Sequence, residues 1–142
     1  MSGDASSKMT WTAIFSRKGG SGARTRLWDD WDTETRADVL HSVHLDDNEL
    51  PVLLARPSAG LQFLLTTRRL IYGSVTAAVN DIVEIKPVQF TEKRKDQLDE
   101  LSVGLTSGKA FQIAVEIGPS YVALWNTLLH ISKHNARRRL AS

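Results

Sequence analysis

The chain has 142 residues, 42% of them hydrophobic and 24% charged, the balance of one ordinary globular domain with length left for an arm or a tail. It has no cysteine, which excludes disulfides and thiolate metal sites and fits a reducing cytoplasm. The net charge of +2 conceals an acidic front, six Lys/Arg against nine Asp/Glu over residues 1–50, and a basic back, twelve against seven; that field is too weak to argue nucleic acid.

No apolar run approaches ~18 residues, so no spanning helix is expected, and MSGDASSKMTWTAIF lacks the charged-then-apolar order of a secretory signal. Residues 1–26 are rich in Ser and Gly, bury too little to offset their ordering entropy, and read as a flexible arm. Trp11, Ile14 and Phe15 are its apolar anchors, able to dock on a surface or a neighbour. Gly19-Gly20-Ser21-Gly22 resembles a phosphate-cradling loop only superficially, because Ala23-Arg24 stand where Lys and Ser/Thr are needed; it reads as a linker. Residues 27–47 form a helical extension. Asp32 or Thr33 caps a helix over about 33–45, acidic residues sit near its positive end, and Val39, Leu40 and Val43 make a narrow apolar stripe. Trp28 and Trp31 extend that face backwards. Trp11, Phe15, Trp28 and Trp31 are therefore the candidate partner-docking residues.

Beyond Asp46-Asp47-Asn48 the pattern becomes β. Pro51–Ala55 is a strand, Arg56–Gly60 a turn, and LQFLLTTRRLIY from Leu61 to Tyr72 a hairpin hinged on Thr-Thr-Arg. Val75–Val79 is a short β-branched piece, and Asp81–Gln89 a half-buried strand stopped near Pro87. A charged excursion, TEKRKDQLDE, follows. Leu101–Leu105 and Phe111–Val115 alternate around Ser107-Gly108 as a second hairpin. From Pro119 the period shifts to 3.6, with Tyr121, Leu124, Trp125, Leu128 and Ile131 on one face of a helix over 119–134. Residues 136–142, with Arg137-Arg138-Arg139, read as a basic tail. The expected core sets Leu124, Trp125 and Leu128 against Leu64, Ile71, Ile82, Val103 and Ile113.

Three stretches, LLTTRRLIYG, DIVEI and SYVALWNTLLHIS, give the chain from Glu49 to His134 a resemblance to the pleckstrin-homology-like (PH-like) superfamily, in particular to small bacterial PH and GRAM-like domains. The resemblance implies a mainly β, α+β domain over 48–135. Its fold would be an open antiparallel barrel of six or seven strands, capped by the C-terminal helix; the front helix lies outside the family pattern. It further implies a cytoplasmic, non-enzymatic interaction module that binds a protein partner or associates with itself, without a cofactor. Arg69 resembles the family's structural arginine. Basic loop residues hold phosphoinositide headgroups in eukaryotic PH domains, so Arg68, Lys93, Arg94 and Lys95 are candidates for an anion or lipid site. That makes a peripheral module on anionic membrane lipid the alternative. Glu92, Asp96, Asp99 and Glu100 oppose those cations, which favours a solvated loop.

Catalytic constellations are scarce. His41 and His44, with Asp46, Asp47 and Glu49 beyond, keep a small metal-dependent hydrolase as a second alternative, but their spacing is not that of H-E-x-x-H. There is no G-x-S-x-G elbow, and adjacent Asp99-Glu100 would face opposite sides of a strand. No catalytic residue and no metal ligand is assigned, and nucleic acid is disfavoured because Phe90 alone accompanies the basic groups.

Overall fold

The computed structural model describes residues 3–57, 61–88 and 98–141. Helix α1 spans Gly3–Arg17, strand β1 Thr25–Leu27, and α2 Thr33–Ser42 after one 3-10 turn at Trp28–Asp30. Strands β2 (Pro51–Ala55), β3 (Phe63–Thr66), β4 (Arg69–Tyr72) and β5 (Val75–Ala78) follow; a second 3-10 turn, Val79–Asp81, leads into β6 (Ile82–Pro87). Strands β7 (Glu100–Leu105) and β8 (Ala110–Ala114) precede α3, Pro119–Ala141.

The fold is α+β. Its strands form two antiparallel sheets, one of five in the order β1-β2-β3-β4-β5 and one of three, β6-β7-β8; no closed barrel forms among the described residues. One core cluster draws on both sheets and on α1 and α3, with Phe15, Leu53, Phe63, Leu65, Leu70, Ile82, Leu101, Ile113, Leu124 and Leu128 almost wholly buried. Tyr72 stitches the sheets together, its hydroxyl accepting the Ala114 amide at 3.1 Å.

Two bulges explain where strict alternation fails. The β2–β3 register shifts between Pro51 and Leu53, so neighbours Val52 and Leu53 both enter the main core. A shift between Ile82 and Glu84 likewise brings Ile82 and Ile85 to the same face. Leu54 and Leu64 point the other way and meet Trp28 and Val39 in a second cluster beneath α2, with Trp31, Val43 and Ile71 at its border. Leu64 and Ile71 thus lie on the opposite face from α3, not against it as expected. Trp125 is only partly buried at the edge of the main core.

The expected arm is instead a helix docked on the domain. Trp11, Ile14 and Phe15 fall at i, i+3 and i+4 and are buried, packing α1 along α3 and near β2. Asp4 in its first turn and Arg17 in its last suit the helix dipole. Its end is closed by the Gly20 amide donating to the Phe15 carbonyl at 2.9 Å, with Gly20 at φ 76°. Helix α2 is capped by Asp32, which accepts from the Thr35 amide at 3.0 Å, and it stops at Ser42 because Val43 turns extended. Helix α3 runs to Ala141, through the segment expected as a tail. Buried Asn135 pins that extension by donating from Nδ2 to the Val79 and Ile82 carbonyls, each at 2.8 Å.

Candidate functional site

The Thr66–Arg69 turn between β3 and β4 organises one end of the five-stranded sheet. The Thr66 hydroxyl accepts from the Arg68 and Arg69 amides at 3.1 and 2.8 Å and donates to Glu49. Arg69 grips the Glu49 carboxylate with two bonds, Nε at 2.9 Å and Nη2 at 2.8 Å, and donates to the His44 carbonyl at 2.7 Å. The Asp46 amide completes the set at 2.9 Å. Burial pushes the Glu49 carboxyl up, but the bonds from Arg69, Thr66 and Asp46, with the Arg69 charge, outweigh it and hold the pKa at about 2. This cluster clasps the 44–50 loop onto the hairpin, so Arg69 has a structural role.

Arg68, a candidate for anion binding, is already engaged. Its Nε and Nη2 meet the two Asp4 carboxylate oxygens at 3.1 Å each, while Thr67 donates to Asp4 at 2.7 Å. The hydrogen bonds from Arg68 and Thr67 lower the Asp4 pKa. No local signal marks this clamp, because Asp4 lies 64 positions from Arg68 in a segment whose composition predicts a flexible arm. Lys93, Arg94 and Lys95 lie outside the described residues.

The four candidate docking aromatics serve the chain itself. Trp11, Phe15 and Trp28 are buried, at 7%, 0% and 5% exposure. Trp31 is half-buried, donates from Nε1 to the Leu54 carbonyl at 2.9 Å, and carries the Arg26 guanidinium 5.5 Å above its ring. None of them is a free anchor for another molecule. His41 and His44 are both exposed, and no three His, Asp or Glu converge as a metal site among the described residues.

The Gly-rich loop does cradle an anion, the chain's own. The Ala23, Arg24 and Thr25 amides converge on the Glu116 carboxylate at 3.1, 3.1 and 2.9 Å, and the Ser120 hydroxyl adds a fourth bond at 3.1 Å. Glycines make the approach feasible. A Cβ on Gly22 would stand 2.6 Å from Glu116 Oε1, and one on Gly19 would stand 2.2 Å from the Pro119 carbonyl oxygen.

Two of the recesses among the described residues lie beside elements discussed above. The first, about 350 Å3, lies between α1, α3 and the Val79–Asp81 turn, with Ser6, Ser7, Thr10, His130, His134 and Arg138 among its walls. The second, about 420 Å3, lies on the outer face of the larger sheet beside the end of α2, lined by Val43, Gln62, Ile71 and Thr76 among others. It borders β5, the last strand of that sheet, where Val75, Thr76 and Ala78 are exposed and Ala77 alone is buried. No described helix is long and apolar enough to cross a membrane. Comparison with protein-family models, with curated proteins and with solved structures gives no match to this chain.

Proposed function

We propose that this chain is a non-enzymatic PH-like interaction module that receives an extended segment of a partner protein along the edge of β5. The PH-like part of the reading is supported by element order: a four-strand meander β2–β5, a three-strand meander β6–β8, then a long capping helix. Elements α1, β1 and α2 are additions to that plan. The observation that carries the binding mode is β5 itself. An edge strand presents alternate N–H and C=O groups outward, and proteins commonly guard such edges with charge, proline or a bulge. Val75-Thr76-Ala77-Ala78 has neither charge nor proline, and its pairing with β4 runs without a register shift.

The neighbouring recess favours a free segment over a second folded copy. Thr76 and its β4 partner Ile71 line the recess together, so a chain added beside β5 can send alternate side chains into it. A four-residue ladder alone is a small contact for two folded bodies, which need on the order of 1,000 Å2 or more.

Selection of extended peptides from a displayed library tests this, with hydrogen exchange as the readout. Binders are expected to slow exchange at Val75–Ala78 and to be lost with Thr76→Lys, the fold being unchanged. Slow exchange at β5 in the isolated chain, or binders indifferent to Thr76→Lys, would overturn the reading. Concentration-dependent dimerisation that protects β5 would reassign the occupant to a second copy.

A further inference from the structure

The outer face of the larger sheet carries one row of side chains whose cover runs out. The row crosses four strands as Leu54, Leu64, Ile71 and Thr76, each the register partner of the next. Leu54 and Leu64 are sealed in the cluster with Trp28 and Val39. Ile71 is half-buried and Thr76 exposed. The decay follows the helix above the row. Helix α2 ends at Ser42, which leaves half-buried Val43 and Ile71 as apolar walls of the recess of about 420 Å3.

The hydrogen-bonding phase of β5 is fixed as well. The Val79 amide donates to the Arg68 carbonyl at 2.9 Å, so the pairs that exchange bonds between β4 and β5 are Leu70 with Ala77 and Tyr72 with Val75. The Gly73 amide donates to the Gln62 carbonyl at 3.3 Å, which turns the Ile71 backbone towards β3 in the same phase. Thr76 and Ala78 therefore direct N–H and C=O away from β4, towards any added strand.

We infer that the segment received at β5 carries an aromatic residue opposite Thr76, its ring lying in the recess against Ile71 and Val43. This rests on the edge-strand reading and names what that edge selects. A residue that exchanges both bonds with Thr76 holds its side chain on the same face as Thr76. The added strand lies about 4.8 Å beyond β5, so that side chain must lean across Thr76 to reach Ile71. Aromatic and long side chains bridge such separations between strands, whereas Ala and Ser are too short. A ring also loses little conformational freedom, having two side-chain torsions. It completes the row that Leu54 and Leu64 begin and removes apolar surface of Ile71 and Val43 from water. Thr76 and Ala78, both small, raise no bulk against it.

The test uses twelve-residue peptides of alternating Thr and Ser, with Phe, Leu or Ala placed at each position in turn. They are titrated into the full chain by NMR, with amide hydrogen exchange locating the contact. One position should prefer Phe to Ala by roughly tenfold or more, with Leu between them, and its immediate neighbours should show no such preference. Protection gained on binding should concentrate at the Thr76 and Ala78 amides. Ser42→Phe, at an exposed position lining the recess, fills the space with the chain's own ring and should abolish the preference. Protection at Thr76 and Ala78 with no position preferring Phe would overturn the inference and leave the edge-strand reading standing. A Phe preference without that protection, or one that survives Ser42→Phe, would place the ring elsewhere and overturn the inference. No binding by any peptide would overturn both.

Discussion

Replacing Glu49 by Gln isolates the clasp that holds the 44–50 loop on the β3–β4 turn. The Glu49 side chain is fully buried and Arg69 is 29% exposed, so the pair lies between a surface bridge and a dry one. The carboxyl pKa is about 2 in the fold against an ordinary 4.5. That lowering corresponds to roughly 3 kcal/mol of stability at neutral pH. That agrees with the lower end of the 3–5 kcal/mol expected when one partner of a buried pair is removed. Gln mimics the protonated acid and leaves the volume nearly unchanged, so the loss is electrostatic. The sign follows from the depressed pKa: the contribution is complete above about 4.5 and disappears as pH falls towards 2. Urea unfolding of both proteins at several pH values reads this directly. The difference should be roughly 3 kcal/mol at pH 7, about 1 kcal/mol at pH 3, and vanish near pH 2. A difference below about 1 kcal/mol at pH 7, or one that does not shrink with acid, would refute the reasoning.

Gly19→Ala forces a Cβ against the Pro119 carbonyl at a backbone angle of φ 149° and should cost at least about 2 kcal/mol in thermal unfolding; Gly22→Ala, meeting movable side chains, should cost less. Phe15 is wholly buried, so Phe15→Ala should cost about 3–5 kcal/mol, and limited proteolysis should spare residues 3–17 in the intact protein and cut them in the variant. Trp125 has a buried indole N–H without a partner, so Trp125→Phe removes an unsatisfied donor along with some contact area. Its unfolding midpoint should move by the equivalent of no more than about 1 kcal/mol, whereas Trp125→Ala should lose about 2 kcal/mol or more.

The elements with strong local signals were legible. Helix α2 was marked by Asp32 and its acidic start, the hairpins by alternation around their turns, and α3 by a long 3.6-residue stripe. Helix α1 was not, because three buried residues in a Ser- and Gly-rich segment make only a short stripe. Its order comes from distant partners, α3 through packing and Arg68 through Asp4. Strand β1 is three residues long and leans on β2 for its ladder, with no pattern of its own. The end of α3 is not legible because the arginines outweigh Asn135, whose two carbonyl partners lie over fifty residues upstream. The α1–α3 recess went unseen for the same reason. His130 and His134 were visible as a pair, but their hydroxyl-bearing neighbours stand on a helix that composition argued against.

The packing of α1 on α3 also bears on how the chain is made. Arg17 closes the first helix and Pro119 opens the last, so about a hundred residues must be synthesised before Trp11, Ile14 and Phe15 can meet their cover. At roughly 5–20 residues per second that interval is on the order of 5–20 s, long beside the microseconds a helix needs to form. Throughout it the first segment carries a Trp-Ile-Phe cluster without its α3 cover, β2 offering only part of the packing. Helix α3, made after both sheets, is therefore the element that completes the cover of α1, and a ribosome stalled in the β6–β8 region would present a nascent chain whose apolar anchor is still partly exposed to chaperones and to other chains.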